Sequence, residues 1–224
     1  MNNVTSYTYD KTSSWSEAWQ NRLFRTKLIT GVILFVSLLL ILPTFFAFIE
    51  KREGIILNDW LLNILPARDF SVLIFIIIWS SCVLVIIRSV QDPAFFLLVL
   101  LSGVALLLVR IGTIYFVPLD PPEDLIKLAD PLTSLTYGGR GIFITKDLFF
   151  SGHTSDLFLI YLCLDKKGDK LFALLATITV GILVLVQHVH YSIDVIGAII
   201  ITYFLVMAVK KLAKPTLTSS GLEE

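Results

Sequence analysis

Leu28–Ile49, LITGVILFVSLLLILPTFFAFI, is a run of 22 residues without a charge. At about 1.5 Å per residue, a helix of this length reaches roughly 33 Å, enough to cross a hydrocarbon core of about 30 Å. The residues before it are polar, and the apolar region of a signal peptide spans only about 7–15 residues. The run therefore reads as a retained first span. Five further apolar runs follow. Phe70–Ile87 is uncharged, and Ala94–Val109 continues past Arg110 towards Phe116. Leu148–Leu164 carries His153 and Asp156, Leu171–Gln187 is uncharged, and Ser192–Val209 has Asp194 near its start. Runs this long and this uniformly apolar fit helices; an outer-membrane barrel would alternate apolar and polar residues over stretches of about ten. The expectation is an all-α integral membrane protein, a six-transmembrane-helix bundle. It has an N-terminal cytoplasmic segment over residues 1–27, a membrane domain over 28–209 and a cytoplasmic tail over 210–224.

Composition agrees. Of the 224 residues, 56% are hydrophobic and 16% charged, against roughly 45–50% apolar for a soluble domain. The 18 basic and 18 acidic side chains cancel, so no net field points to nucleic acid. Cys82 and Cys163 each lie inside an apolar run, which is neither a disulfide framework nor a zinc pattern. Six spans put both termini on one side. Lys11, Arg22, Arg25, Lys27, Arg88, Lys166, Lys167, Lys170, Lys210, Lys211 and Lys214 fall on that side. Lys51, Arg52, Arg68, Arg110, Lys127, Arg140 and Lys146 fall on the other. The excess places both termini in the cytoplasm by the positive-inside bias. The third loop, Val117–Lys146, is rich in helix breakers, among them Pro118, Pro121, Pro122, Pro131, Gly138, Gly139 and Gly141. The tail after Pro215 reads as disordered. The small size and the lack of an appended soluble domain point to a bacterial inner membrane.

The three histidines are all placed at non-cytoplasmic span ends: His153 opens the fourth span, and His188 and His190 follow the fifth. A short basic loop joins these antiparallel neighbours, so His153 and His190 reach the same membrane face. Asp194 lies four residues after His190; if the sixth span has begun there, the two stack on one helical face, one turn apart. A carboxylate bonded to one imidazole nitrogen fixes the tautomer and leaves the other nitrogen free. Such a nitrogen can attack phosphorus, while a second, protonated imidazole donates to the departing alkoxide. Ser151 and Gly152 before His153 are small, and a helix N-terminus there favours an anion. Ionisable groups beside spans are costly and usually have partners, so the clustering of the histidines with Asp147, Asp156 and Asp194 points to a phosphoryl-transfer site.

Phe150-Ser151-Gly152-His153-Thr154 and His188-Val189-His190-Tyr191-Ser192-Ile193-Asp194-Val195 resemble the last two motifs of the sphingomyelin synthase family. That family is a branch of the lipid phosphate phosphatase (type 2 phosphatidic acid phosphatase) superfamily. Asp147, four before Ser151, fits the first of the two motifs. Upstream, Leu65-Pro66-Ala67-Arg68-Asp69 and Arg110-Ile111-Gly112-Thr113 with Pro118 echo two further motifs. The resemblance implies six spans with cytoplasmic termini, His190 as nucleophile, Asp194 as its orienting partner and His153 as the acid–base residue. Ser151, Gly152, Asp147, His188 and Arg110 join them as substrate-binding positions. No metal is expected, because the histidines are far from any carboxylate trio and this chemistry needs none, and no cofactor is expected.

The chain also departs from that pattern. Val184 stands where the phosphatase branch has an arginine six before the nucleophile, and no K-x6-R-P motif occurs. Thr145 and Lys146 stand where the synthases have Cys-Gly; Lys146 is a source of positive charge for a phosphate or simply a loop lysine. Asp156 stands where an apolar residue is expected. The leading expectation is a phosphotransferase moving a phospho-headgroup from a phospholipid to a ceramide- or diacylglycerol-like lipid alcohol. The alternatives are a lipid phosphate phosphatase, with water as acceptor, and a non-catalytic lipid-binding or transport protein.

Overall fold

The computed structural model describes residues 14–128 and 144–218. Lys11 and Arg140, counted above for orientation, lie outside them, as do Pro131, Gly138, Gly139, Gly141 and the tail beyond Thr218. Among the described residues the chain is all-helical: α1 (Trp15–Gln20), α2 (Arg22–Ile49), α3 (Ser71–Gln91), α4 (Pro93–Phe116), α5 (Gly152–Cys163), α6 (Lys167–Val186) and α7 (Ser192–Thr218). The only extended pairing among them is an isolated parallel bridge between Ile55 and Leu119.

Polar residues set the helix starts. Ser14 and Glu17 form a capping box at α1. The Asn21 side chain caps α2, and Asp92 caps α4, with Pro93 in its first turn. The N-terminal segment is thus helical from Trp15 rather than merely polar. The Trp15 ring packs on Phe24 and Phe96, and its indole N–H donates to the carbonyls of Ser89 and Val90. At its other end, α7 runs past Pro215 to Thr218, so the reading of a disordered tail fails over its first residues.

Five helices (α2, α3, α4, α6 and Ser192–Ala213 of α7) are long and apolar enough to cross a membrane. The expected fourth span does not meet that length. α5 has 12 residues, about 18 Å at 1.5 Å per residue. Leu148, Phe149 and Phe150 before it are apolar because they are packed against the bundle, not because they continue the helix. α5 is nevertheless central, packing against α3, α4, α6 and α7. Leu157, Leu159 and Leu162 on its opposite sides feed two separate cores.

Within lipid the tails are as apolar as the side chains, so helices associate by close packing of small residues. Gly181 of α6 shows how: a Cβ there would lie 3.4 Å from Val195 and 3.7 Å from Thr154. The first turns of α5 and α7 therefore meet α6 five residues before it ends, about 8 Å below its terminus at 1.5 Å per residue. The outer surface carries exposed side chains such as Leu40, Val72 and Phe204, as expected of a wall facing lipid.

The two ends of the bundle differ. At one lie Trp15, the α3–α4 corner, the α5–α6 corner and the end of α7. Here Arg88 makes a two-pronged ion pair with Asp169, at 2.6 and 3.0 Å, Lys27 bonds the Leu212 carbonyl and Lys210 the Leu162 carbonyl. At the other end the loops knit together. Glu50 accepts from the N–H groups of Thr145 (2.6 Å) and Lys146 (2.8 Å). Asp59 accepts from the Ser192 N–H at 2.6 Å, capping α7 from 133 residues away.

The charges of this knit set an acid limit. Partial burial opposes the charge on Asp59, but donation from the Ser192 N–H and hydroxyl and from Leu61 outweighs it. The carboxyl is held below the usual range. Lys146 does the same for Asp120. A carboxyl depressed in the folded state contributes stability above its unfolded pKa of about 3.9, and that contribution is lost as pH falls through the folded value. Thermal melting in detergent between pH 7 and pH 3 should therefore fall below about pH 4. Asp59→Asn should melt lower at pH 7 and show a flatter acid limb.

Candidate active site

The site gathers where α4, α5 and α7 meet beneath the loop cluster. Asp194 lies in the first turn of α7, and His190 faces it from the bend just before that helix. The imidazole Nδ1 lies 3.3 Å from Asp194 Oδ2, which also accepts from the Tyr191 N–H at 3.0 Å. His190 is 2% exposed and Asp194 is fully buried. A hydrogen bond to a carboxylate strengthens in such surroundings. With Nδ1 donating to Asp194, Nε2 is the nitrogen left for chemistry. The second oxygen of Asp194, Oδ1, is buried and meets no donor among the described residues.

The N-terminus of α5 is bonded to this pair. The Ser151 N–H donates to the Asp194 carbonyl at 3.1 Å. Ser151, fully buried, caps α5 through its hydroxyl, which also bonds the Thr154 hydroxyl at 3.1 Å. His153 follows in the first turn, partly buried, with its Nδ1 shut off from solvent. Both histidines are thus held at touching helix starts.

Arg110 reaches the same point from α4. It lies six residues before that helix ends, about 9 Å below its terminus by helical rise. Its guanidinium donates to Asp147 Oδ1 at 2.6 Å and to the Phe150 carbonyl at 3.3 Å. It lies flat on Gly152: a Cβ there would sit 2.7–2.8 Å from the guanidinium atoms. A fixed cation and the first-turn N–H groups of α5 thus converge where an anion would be held. Asp147, about a third exposed, occupies the guanidinium. Asp156, one turn into α5 and accessible, lies within electrostatic reach of both Arg110 and Asp147.

Other expected site residues are engaged elsewhere. His188 is buried and has a left-handed backbone (φ 55°), and its Nε2 lies 3.0 Å from the Leu65 carbonyl. It ties the 65–70 loop to the turn before α7. Lys146 bonds the Arg52 carbonyl and pairs with Asp120 at 2.5 Å, so its charge is committed to the loops. In the Pro66–Asp69 stretch, Asp69 accepts from the Ser71 N–H (2.8 Å) and hydroxyl (2.6 Å), a turn that starts α3. Val184, at the position of the absent arginine, is fully buried in the apolar core between α3, α5 and α6. Among the described residues no cluster of three or more His, Cys, Asp or Glu could hold a metal.

The sequence reading missed the scaffold of the site. Tyr191 is buried; its hydroxyl donates to the Asp120 carbonyl at 2.8 Å and accepts from the Leu57 N–H at 3.2 Å. Gln187, fully buried, accepts from the Phe70 N–H and donates to the Ser71 hydroxyl. The one local signal was adjacency, because both residues flank the two motif histidines. Tyr191→Phe leaves a carbonyl and an N–H without their partner. Its unfolding free energy should drop by about 1–3 kcal/mol, read as a lower melting temperature.

Residues 146–212 match the family model described as PAP2 superfamily C-terminal. The stretch contains α5, α6, the His190–Asp194 pair and Ser151-Gly152-His153, and it covers under half of the chain. The match supports a place in the PAP2 phosphatase superfamily and a lipid phosphatase or phosphotransferase type of activity. It does not separate the synthase branch from the others. No curated protein and no solved structure matches the chain.

Proposed function

We propose that this chain is a membrane phosphotransferase that moves a phospho-headgroup from a phospholipid to a ceramide- or diacylglycerol-like alcohol. The observation that carries the reading is the junction of two helix starts. His190, oriented by a buried carboxylate, stands on one and His153 on the other, with Arg110 locked against the second. His190 Nε2 attacks phosphorus, and the bond to the diacylglycerol oxygen breaks as His153 gives that oxygen its proton. The acceptor hydroxyl then gives its proton to His153, its oxygen attacks phosphorus, and the P–N bond breaks to regenerate His190. Arg110 and the α5 N-terminus stabilise the phosphoryl oxygens.

Both termini are cytoplasmic in this reading, with the site towards the opposite leaflet. Its depth of about 8–9 Å below the helix ends puts the reacting phosphorus near the headgroup level, where two lipids can arrive sideways. The absent arginine supports transfer over generic phosphomonoester hydrolysis. The apolar packing of Val184 offers no charge at that position, and among the described residues Arg110 is the cation at the helix junction, which suits the lower charge of a diester.

Hydrolysis by the same intermediate, with water as acceptor, is the second reading; the superfamily match favours it equally. Reconstituted vesicles containing mixed phospholipids with fluorescent ceramide and fluorescent diacylglycerol decide between them. A new phospholipid product from the wild type but not from His190→Ala establishes transfer and names the headgroup. Release of free phospho-headgroup or dephosphorylated lipid without a new lipid product moves the assignment to a hydrolase. No turnover with any donor, with lipid binding kept in His190→Ala, removes the catalytic reading.

A further inference from the structure

The loop between α2 and α3 is fixed but not apolar-side-in. Leu57 and Asp59 are bonded to Tyr191 and Ser192, and Leu62 is buried. Yet Ile55, Ile56, Trp60 and Ile64 stand 63, 53, 74 and 67% exposed. Four large apolar side chains within ten residues, held outward by a polar scaffold, have no reason to face water.

Their neighbours show what covers them. The Ile55 N–H bonds the Pro118 carbonyl just past α4. There the exposed rings of Phe48, Tyr115 and Phe116 meet in series, the first pair stacked with centroids 6.4 Å apart and the second edge-on at 5.2 Å. At its other anchor, Asp59 holds Ser192, next to exposed Ile193 of α7. The loop surface thus continues the lipid-facing walls of α2, α4 and α7. Trp60, amphipathic and at the rim, suits the headgroup level.

We infer that residues 55–64 are seated in the interfacial zone of the leaflet onto which the candidate site opens, with lipid as the partner of this surface. Through Asp59 and Tyr191 the seat is bonded directly to the helix start that carries His190 and Asp194. It fixes how deep those residues sit. The inference does not depend on the reaction catalysed.

The test labels single cysteines with the fluorophore NBD in a Cys82→Ala, Cys163→Ala background. The labelled sites are Ile56→Cys, Trp60→Cys, Glu53→Cys as an aqueous reference and Ile200→Cys as a deep-lipid reference. The full chain is reconstituted in phosphatidylcholine–phosphatidylglycerol vesicles. At 56 and 60, aqueous iodide should quench at least about threefold less than at 53. Nitroxide lipids labelled near the headgroup should quench about twofold more than those labelled mid-chain, the reverse of position 200. A second measurement avoids cysteine variants. Wild type loses Trp emission to lipids brominated near the headgroup, and Trp60→Phe removes that share of the loss. Iodide access at 56 and 60 equal to that at 53 overturns the inference. Shielding from both iodide and nitroxide lipid overturns it too, because a protein surface would then cover the loop.

Discussion

If the proposed transfer is right, His190→Ala should lose it by at least about 10⁴-fold, while the purified variant keeps its helical content. The His190 imidazole has one nitrogen oriented by a buried carboxylate and the other left over for attack. In the proposed mechanism water cannot replace it, because a P–N bond forms before the second lipid arrives. His153→Ala should fall by about 10²–10⁴-fold with natural donors, since it loses only the proton transfer. The two variants separate further with a donor whose leaving group is p-nitrophenolate, which departs without protonation. His153→Ala then recovers most of its release of p-nitrophenol, and His190→Ala recovers none. Recovery in both variants would mean that neither imidazole forms the bond to phosphorus. Equal failure in both would make His153 part of the covalent step or of the fold. Asp194→Asn keeps the hydrogen-bonding shape but removes the charge that holds the tautomer, and a loss of about 10²-fold or more is expected.

Much of this could be read before the structure, for definite reasons. A backbone inside lipid must satisfy its own hydrogen bonds, so long uncharged runs become helices with little ambiguity. The His190–Asp194 pair was legible because the partners are only four residues apart, although His190 stands in the bend before α7 rather than on the helix itself. The start of the fourth helix was misread because apolar content alone does not tell a helix from a packed extended segment. Leu148, Leu157 and Leu159 look alike in sequence, yet only the last two are helical. Lys146 resembled a phosphate ligand because nothing local shows that Asp120 and the Arg52 carbonyl claim it. The scaffold was invisible for the same reason. Glu50 meets residues 95 and 96 positions away, and Asp59 meets one 133 away. Such contacts between loops leave no periodicity to detect. Likewise, Gly152 was singled out as small, but what it makes room for comes from a different helix.

That room yields the second large effect. Gly152 is the first residue of α5 and carries no positive φ, so its backbone alone would accept alanine. The obstacle is Arg110, whose Nη1, Nη2 and Cζ all fall within 2.8 Å of where a Cβ would be. Gly152→Ala must push the guanidinium off the Phe150 carbonyl and away from Asp147, disturbing the anion-holding corner and the packing of α4 on α5. Transfer activity should fall by about 10²-fold or more, because a displacement near 1 Å costs that much at a reacting centre, and the melting temperature should drop. A cycle separates this clash from a plain packing defect. In an Arg110→Ala background the space is empty, so adding Gly152→Ala should cost little further stability. A coupling of about 0.5–3 kcal/mol between the two positions is expected. Additive losses would mean that the guanidinium slides aside freely, and that the glycine is needed for the approach of α5 to α7 instead.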